Sequence, residues 1–375
     1  MPRFAIDVTA CWRPQRVGMI TVALELARAM VTNRDGDQFV LLCSRERPPA
    51  LADLDCEAVL APYRHEVVLK TRWLPAIEPQ LGCDAILYPY WPSPPRRRAG
   101  APPAAVIVND LAFRLRPAEV PWQQRAYFGT VLGPALRQAA AVVVPTETTR
   151  RDLLSSYPVP GLEERVSVIP YGFRAPTAAG ALPEGIEAGF ILAVGTIEPR
   201  KNYPRLLAAY RQLRSFRGAA PIVIGPRAGV PQLVIAGRPG WAYGDTLDKI
   251  KAEPGVRYLG HVDEPTLAAL YENASVLALP SLYEGFGLPL LEAMARGVPA
   301  VIGKTGALPE LAGGTAVEVD PEDVNAIAGA LEKLLSDGAL RKKLGGAGKQ
   351  RAAAFTWDRA AAETVDVLRR IGSAL

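Results

Sequence analysis

Two glutamates, Glu284 and Glu292, bound the stretch EGFGLPLLE with seven residues between them. Paired carboxylates commonly serve as a general acid and base, but what lies between these two argues for other chemistry. Gly285 and Gly287 let a ligand approach the main chain, and Pro289 suits the first turn of a helix reading PLLEAMARG. Amide groups at a helix start attract anions, so the carboxylates flank an anion site. An acid beside bound phosphate is costly unless it accepts hydroxyl hydrogen bonds, and sugar or ribose hydroxyls are suitable donors.

A second cluster points the same way. In VGTIEPRKNYPRLL (194–207), Arg200 and Lys201 follow an apolar run and a glycine turn, and stand just before a helix opened by Asn202. A guanidinium and an ammonium beside a helix start suit a diphosphate.

The elements that must carry these residues are alternating strands and helices. FAIDV, FVLLC, DAILYP, AAVIVND, AAVVVPT and VSVIP read as buried parallel strands, and GMITVALELARAM (18–30) repeats apolar residues at helical spacing behind the first of them. After the Gly/Pro/Ala-rich YGFRAPTAAGALPEGIEAG the alternation restarts with FILAVGT, QLVIAG, VRYLG, SVLALPS and PAVIG. Helices are predicted near 203–215, 265–273, 289–296, 322–336 and 357–371. The segment 218–232 reads equally as strand or long loop. The pattern predicts two doubly wound α/β domains, 1–175 and 176–355, with ligands at the carboxyl ends of the strands in a cleft where the domains face each other. A closing helix lies in 356–375.

Composition sets bounds on the partners. The chain has 375 residues, 49% of them hydrophobic, enough for two cores. No apolar run is long enough to cross a bilayer and the start lacks a secretory pattern, so a cytoplasmic protein is expected. Cys11, Cys43, Cys56 and Cys83 have no C-x-x-C spacing, which supports neither a zinc nor a redox motif and suggests core thiols. The net charge of +5 is mild. The densest basic stretches, PPRRRAG and YRHEVVLKTRWLP, read as solvated loops or as contacts for anionic lipid headgroups. Aromatic residues do not alternate with basic ones as a single-strand platform requires, so no nucleic-acid partner is expected.

Together, YEGFGLPLLEAMARGVPAV, VGTIEPRKN, YLGHVDEPTLAALYENASVLALPSLYEGFG and FTWDRAAAETVDVLRRI resemble the retaining GT-B glycosyltransferases of glycosyltransferase family 4, along essentially the whole chain. The resemblance implies a GT-B fold of two Rossmann-like domains, with the nucleotide sugar on the C-terminal one and the closing helix packed back on the N-terminal one. It implies that Glu292 holds the ribose hydroxyls and Glu284 the hydroxyls of the transferred sugar. Gly285, Phe286, Gly287 and Leu288 would offer backbone amides, and Lys201, helped by Arg200, would stabilise the leaving diphosphate. His261 and Val262 would receive the base through backbone groups, and Gly18 would let the donor approach the first βα loop.

Two positions depart from the family's common form. Thr196 stands where an Arg is usual, so Arg13 and Arg16 become further candidates for neutralising diphosphate. Asn109, before Asp110, stands where a His near the sugar and reaction centre is usual, so the resemblance makes Asn109 a catalytic candidate beside Glu284, Lys201 and Arg200, and an amide donates hydrogen bonds but cannot titrate. The activity implied is retaining, metal-independent transfer of a hexose, mannose from GDP-mannose first, to a glycan or lipid-diphosphate-linked acceptor in polysaccharide or lipopolysaccharide synthesis. No cofactor is expected, and an anionic inner membrane face is an expected peripheral contact. A covalent intermediate on Glu284 is the rival chemistry. The alternatives are a catalytically silent glycan- or partner-binding relative and a UDP-sugar transferase or epimerase of the same fold.

Overall fold

The computed structural model describes residues 1–12, 18–33, 35–90, 92–174, 180–215, 223–224, 227–241 and 243–373. By their contacts they form two compact units, one of residues 1–114, 123–172 and 355–375, the other of residues 115–122 and 173–354.

The first unit holds seven parallel strands: β1 (Arg3–Asp7), β2 (Gln38–Ser44), β3 (Glu57–Ala61), β4 (Ala85–Tyr88), β5 (Ala104–Ile107), β6 (Ala141–Val144) and β7 (Val166–Val168). Their order is β3-β2-β1-β4-β5-β6-β7. The central strands are buried along nearly their whole length, as strands covered on both faces must be. β3 was not anticipated. It is an edge strand with exposed Glu57 and Leu60, so EAVLA lacks the continuous apolar run of its neighbours. The helix Gly18–Thr32 follows β1, and the helix Trp357–Gly372 packs on it and on β4 with Trp357, Ala361, Val365 and Leu368 buried. Trp357 stacks on Tyr171 with ring centroids 6.0 Å apart.

Two of the basic residues expected in solvated loops lie inside this unit. Lys70 is 2% exposed and pairs with Asp7 at 2.5 Å, where β1 ends. Arg97 pairs with fully buried Glu78 at 2.9 Å, and Glu78 also accepts the Tyr88 hydroxyl. Cys11 and Cys43 are buried and Cys56 and Cys83 half-buried, and none of the four is in a disulfide among the described residues.

The second unit holds β8 (Phe190–Val194), a short antiparallel pair β9 (Val223–Ile224) and β10 (Arg227–Ala228), then β11 (Leu233–Ala236), β12 (Val256–Gly260), β13 (Ala274–Leu279), β14 (Ala300–Gly303) and β15 (Val317–Val319). Its parallel sheet runs β12-β11-β8-β13-β14-β15. The segment left open at 218–232 supplies β9 and β10, and the start of β11 is one residue beyond its end. The three-residue β15 and the helix Gly338–Ala352 were also unanticipated. The predicted helices are found as Tyr203–Ser215, Glu264–Asn273, Leu288–Ala295, Val324–Ser336 and Trp357–Gly372. No helix among the described residues is long and apolar enough to cross a membrane.

Candidate functional site

Strand order reverses at β8. The chain fills one side of the sheet with β11 and β12, then crosses to place β13 on the other side. Loops diverge at such a switch point and leave a crevice at the carboxyl ends of the strands. The two chemical clusters of the sequence follow β8 and β13, so the fold sets them side by side. The Leu282 N–H donates to the Arg200 carbonyl at 2.8 Å.

Asn202 locks this pairing. As expected it stands directly before the next helix, Tyr203–Ser215, its carbonyl accepting the Leu206 N–H at 3.2 Å, while its buried side chain donates to the carbonyls of Pro280 (3.0 Å) and Pro321 (2.6 Å). Its φ of 60° is left-handed, a conformation that asparagine accepts more readily than most residues.

Glu284 is the centre of the cluster. Lys201 Nζ lies 2.5 Å from Oε1 and Arg200 Nη1 lies 2.9 Å from Oε2, while the Ser281 hydroxyl donates to Oε1 at 2.8 Å. Arg200 also bonds Glu198 and the Tyr283 carbonyl. Burial alone would push the Glu284 carboxyl up, but the Lys201 and Arg200 charges bring it down to about 2, so it stays ionised. Burial pushes the Glu198 carboxyl above its ordinary value. Two carboxylates therefore face two cations, and the arrangement is an internally compensated charge network rather than a bare cationic patch.

Further residues brace it. The Ala307 N–H donates to the Glu284 carbonyl, and Thr305 Oγ1 donates to the Ser281 carbonyl, both at 2.9 Å. Gly306 passes so close that a Cβ would sit 2.5 Å from the Glu284 carbonyl oxygen. From residues 115–122 of this unit, Arg116 donates to the Leu282 carbonyl at 3.2 Å. Ser281, Glu198, Thr305, Gly306 and Arg116 were missed. Ser281, three positions before Glu284, and Glu198, two before Arg200, had a local signal, whereas the others act across strands and loops.

The helix Leu288–Ala295 begins at Gly287, whose φ of 107° belongs to glycine, and no side chain caps it. Phe286 is buried and Leu288 half-buried. Glu292 is half-buried in the helix. Burial pushes its carboxyl up, opposed by the Tyr271 hydroxyl, which donates to Oε2 at 2.7 Å. Thr196 is half-buried just past β8, and after β12 His261 is exposed and Val262 half-buried.

The remaining candidates belong to the first unit. Asn109 follows β5, is 6% exposed, and accepts the Tyr171 hydroxyl on Oδ1 at 2.5 Å, while its buried Nδ2 has no partner among the described residues. Gly18 is exposed at the start of its helix, and among the described residues a Cβ there would meet nothing within 4 Å. Arg13 and Arg16 lie outside the described residues.

Two parallel-sheet α/β units, one with a charge network at its switch point, are the architecture of the GT-B class. Residues 17–172 match the glycosyl transferase 4-like domain and residues 182–351 the glycosyl transferases group 1 domain, and the chain belongs to this family. It is 29% identical to the O-antigen chain mannosyltransferase B of Escherichia coli over 276 residues, covering 71% of this chain and 70% of that one. It is 33% identical to the MMP alpha-(1->4)-mannosyltransferase of Mycolicibacterium hassiacum over 243 residues, covering 62% of this chain and 55% of that one. Among solved structures, sucrose-phosphate synthase from Thermosynechococcus elongatus superposes with a TM-score of 0.75 at 21% identity, over all of both chains.

Proposed function

We propose that this glycosyltransferase transfers a hexose from a nucleotide sugar with retention, without a metal ion, onto a glycan or lipid-diphosphate-linked acceptor in polysaccharide or lipopolysaccharide synthesis. Mannose from GDP-mannose is the preferred donor reading, supported by the two mannosyltransferase relatives. The observation that carries the reading is the Glu284 network. Its carboxylate is held ionised by Lys201 and Arg200 beside the uncapped start of the helix Leu288–Ala295.

The donor diphosphate is assigned to that helix start and to Lys201, which exchanges part of its contact with Glu284 for phosphate oxygen. Glu284, already paired, is better suited to accept sugar hydroxyls than to attack carbon, because a carboxyl held this far below its ordinary value is a weak nucleophile. The acceptor hydroxyl attacks the anomeric carbon as the bond from that carbon to the diphosphate oxygen breaks. The hydroxyl proton passes to a β-phosphate oxygen, and the nucleoside diphosphate leaves. Glu292 accepts ribose hydroxyls. The acceptor is assigned to the first unit, where Asn109 offers an amide that holds no exchangeable charge.

A thermal-shift panel of GDP, UDP and their sugars, with and without EDTA, tests this reading. GDP and GDP-mannose are expected to raise the melting temperature by several degrees equally in EDTA, and Glu292→Ala to reduce the shift. Absence of stabilisation by every member would overturn the reading. A shift confined to UDP compounds would overturn the mannose assignment.

A further inference from the structure

We infer that Tyr271 is the positioning residue for Glu292, presenting one defined carboxylate oxygen to a ligand's hydroxyl groups. The inference rests on the assignment of Glu292 to the ribose. Tyr271 occupies the last turn of the helix Glu264–Asn273 and is 1% exposed. Its hydroxyl donates to Glu292 Oε2 at 2.7 Å, while among the described residues Oε1 receives no hydrogen bond. Burial and the neighbouring carboxylate push the Tyr271 phenol well above its ordinary value, so it remains a donor at every working pH.

The tyrosine is itself held. The Arg296 guanidinium lies 5.3 Å from the centre of its ring and 5.1 Å from that of Phe173. Arg296 Nη1 donates to the Glu292 carbonyl at 3.2 Å. Glu292 is thus restrained at its main chain by Arg296 and at one carboxylate oxygen by Tyr271. An unrestrained glutamate loses rotamer freedom when it binds a hydroxyl, and a restrained one has lost it already. The phenol also opposes the burial that favours the protonated acid, and a protonated carboxyl accepts hydroxyl hydrogen bonds poorly. Tyr271 should therefore set how strongly the site distinguishes a ribose from a sugar lacking its hydroxyls, while leaving base and diphosphate binding unchanged.

The experiment is isothermal calorimetry at pH 7 with GDP and 2′,3′-dideoxy-GDP, or the UDP pair if the enzyme binds uridine nucleotides. Wild type, Tyr271→Phe and Glu292→Ala are compared. Wild type is expected to prefer the ribonucleotide by about thirtyfold, the factor carried by a hydrogen bond to a charged group. Tyr271→Phe, which keeps the ring beneath Arg296, should reduce the preference to about threefold through the ribonucleotide alone, and Glu292→Ala should abolish it. The ratio is taken within one protein, so a partly unfolded variant does not alter it. A preference in Tyr271→Phe equal to wild type, or a parallel loss for both nucleotides, would overturn the positioning role. Tight wild-type binding with no preference would refute the ribose assignment of Glu292 and this inference with it. Wild type that binds neither base's nucleotides overturns the function reading as well.

Discussion

At the scale of single residues, the two glutamates in EGFGLPLLE have opposite electrostatic surroundings. Glu284 faces two cations and a hydroxyl, whereas Glu292 has burial against it and, in its favour, the Tyr271 phenol and then the more weakly felt Arg296 charge. Removing the charge at Glu284 leaves Lys201 and Arg200 with less countercharge in a buried setting, so Glu284→Gln should cost about 3 kcal/mol at pH 7. The pH dependence has a definite sign. A carboxyl lowered from 4.5 to about 2 by folding contributes stability that is complete above pH 4.5 and lost as pH falls through about 2. Urea denaturation at pH 7, 4.5 and 2.5 should therefore show wild type approaching Glu284→Gln only across the lower interval. A gap independent of pH would contradict the charge pairing.

At the scale of elements, the helix Gly338–Ala352 shows how local preference and packing part company. Its sequence GALRKKLGGAGKQRA argues against a helix by propensity, yet it packs along the helix Leu288–Ala295 that opens the candidate site. A Cβ at Gly345 would lie 2.1 Å from the Gly297 carbonyl oxygen, whereas one at Gly346 would meet nothing within 4 Å. Propensity alone predicts that alanine stabilises either position by about 1 kcal/mol. With packing included, Gly346→Ala should stabilise by up to about 1 kcal/mol, and Gly345→Ala should destabilise by about 2 kcal/mol. Thermal denaturation of both variants decides the matter, and equal shifts of the same sign would remove the packing explanation.

At the scale of the whole molecule, the basic stretches count for less than composition suggests. Lys70 and Arg97 neutralise Asp7 and Glu78 inside the first unit, leaving exposed Arg96 and Arg98 as the part of PPRRRAG able to meet an anionic surface. If the enzyme attaches to anionic membrane through them, Arg96→Gln/Arg98→Gln should weaken co-sedimentation with phosphatidylserine-containing vesicles by about thirtyfold at low salt, near 1 kcal/mol per charge. Undiminished binding by the double variant would exclude these two residues. The same unit is closed by the last helix, where Trp357 stacks on Tyr171, whose hydroxyl in turn holds Asn109. Residues from the end of the chain thereby fix a side chain first noticed near position 109.

Much of this protein is determined by sequence alone, because buried parallel strands and amphipathic helices write their burial into composition and period. Those patterns are enough for two doubly wound domains and for two polar, glycine-marked turns just past strands. Edge strand β3, the short β15 and the glycine-rich helix at 338–352 escaped because burial there is partial, brief or served by the absence of side chains. Tertiary structure alone decided the partners. Lys201 and Glu284 are 83 positions apart and meet because β8 and β13 are neighbours in the sheet. Tyr271 reaches Glu292 from the helix that precedes β13. Contacts of this kind depend on strand order, which no local pattern carries, and they turn a pair of carboxylates into one clamped among cations and one held by a phenol.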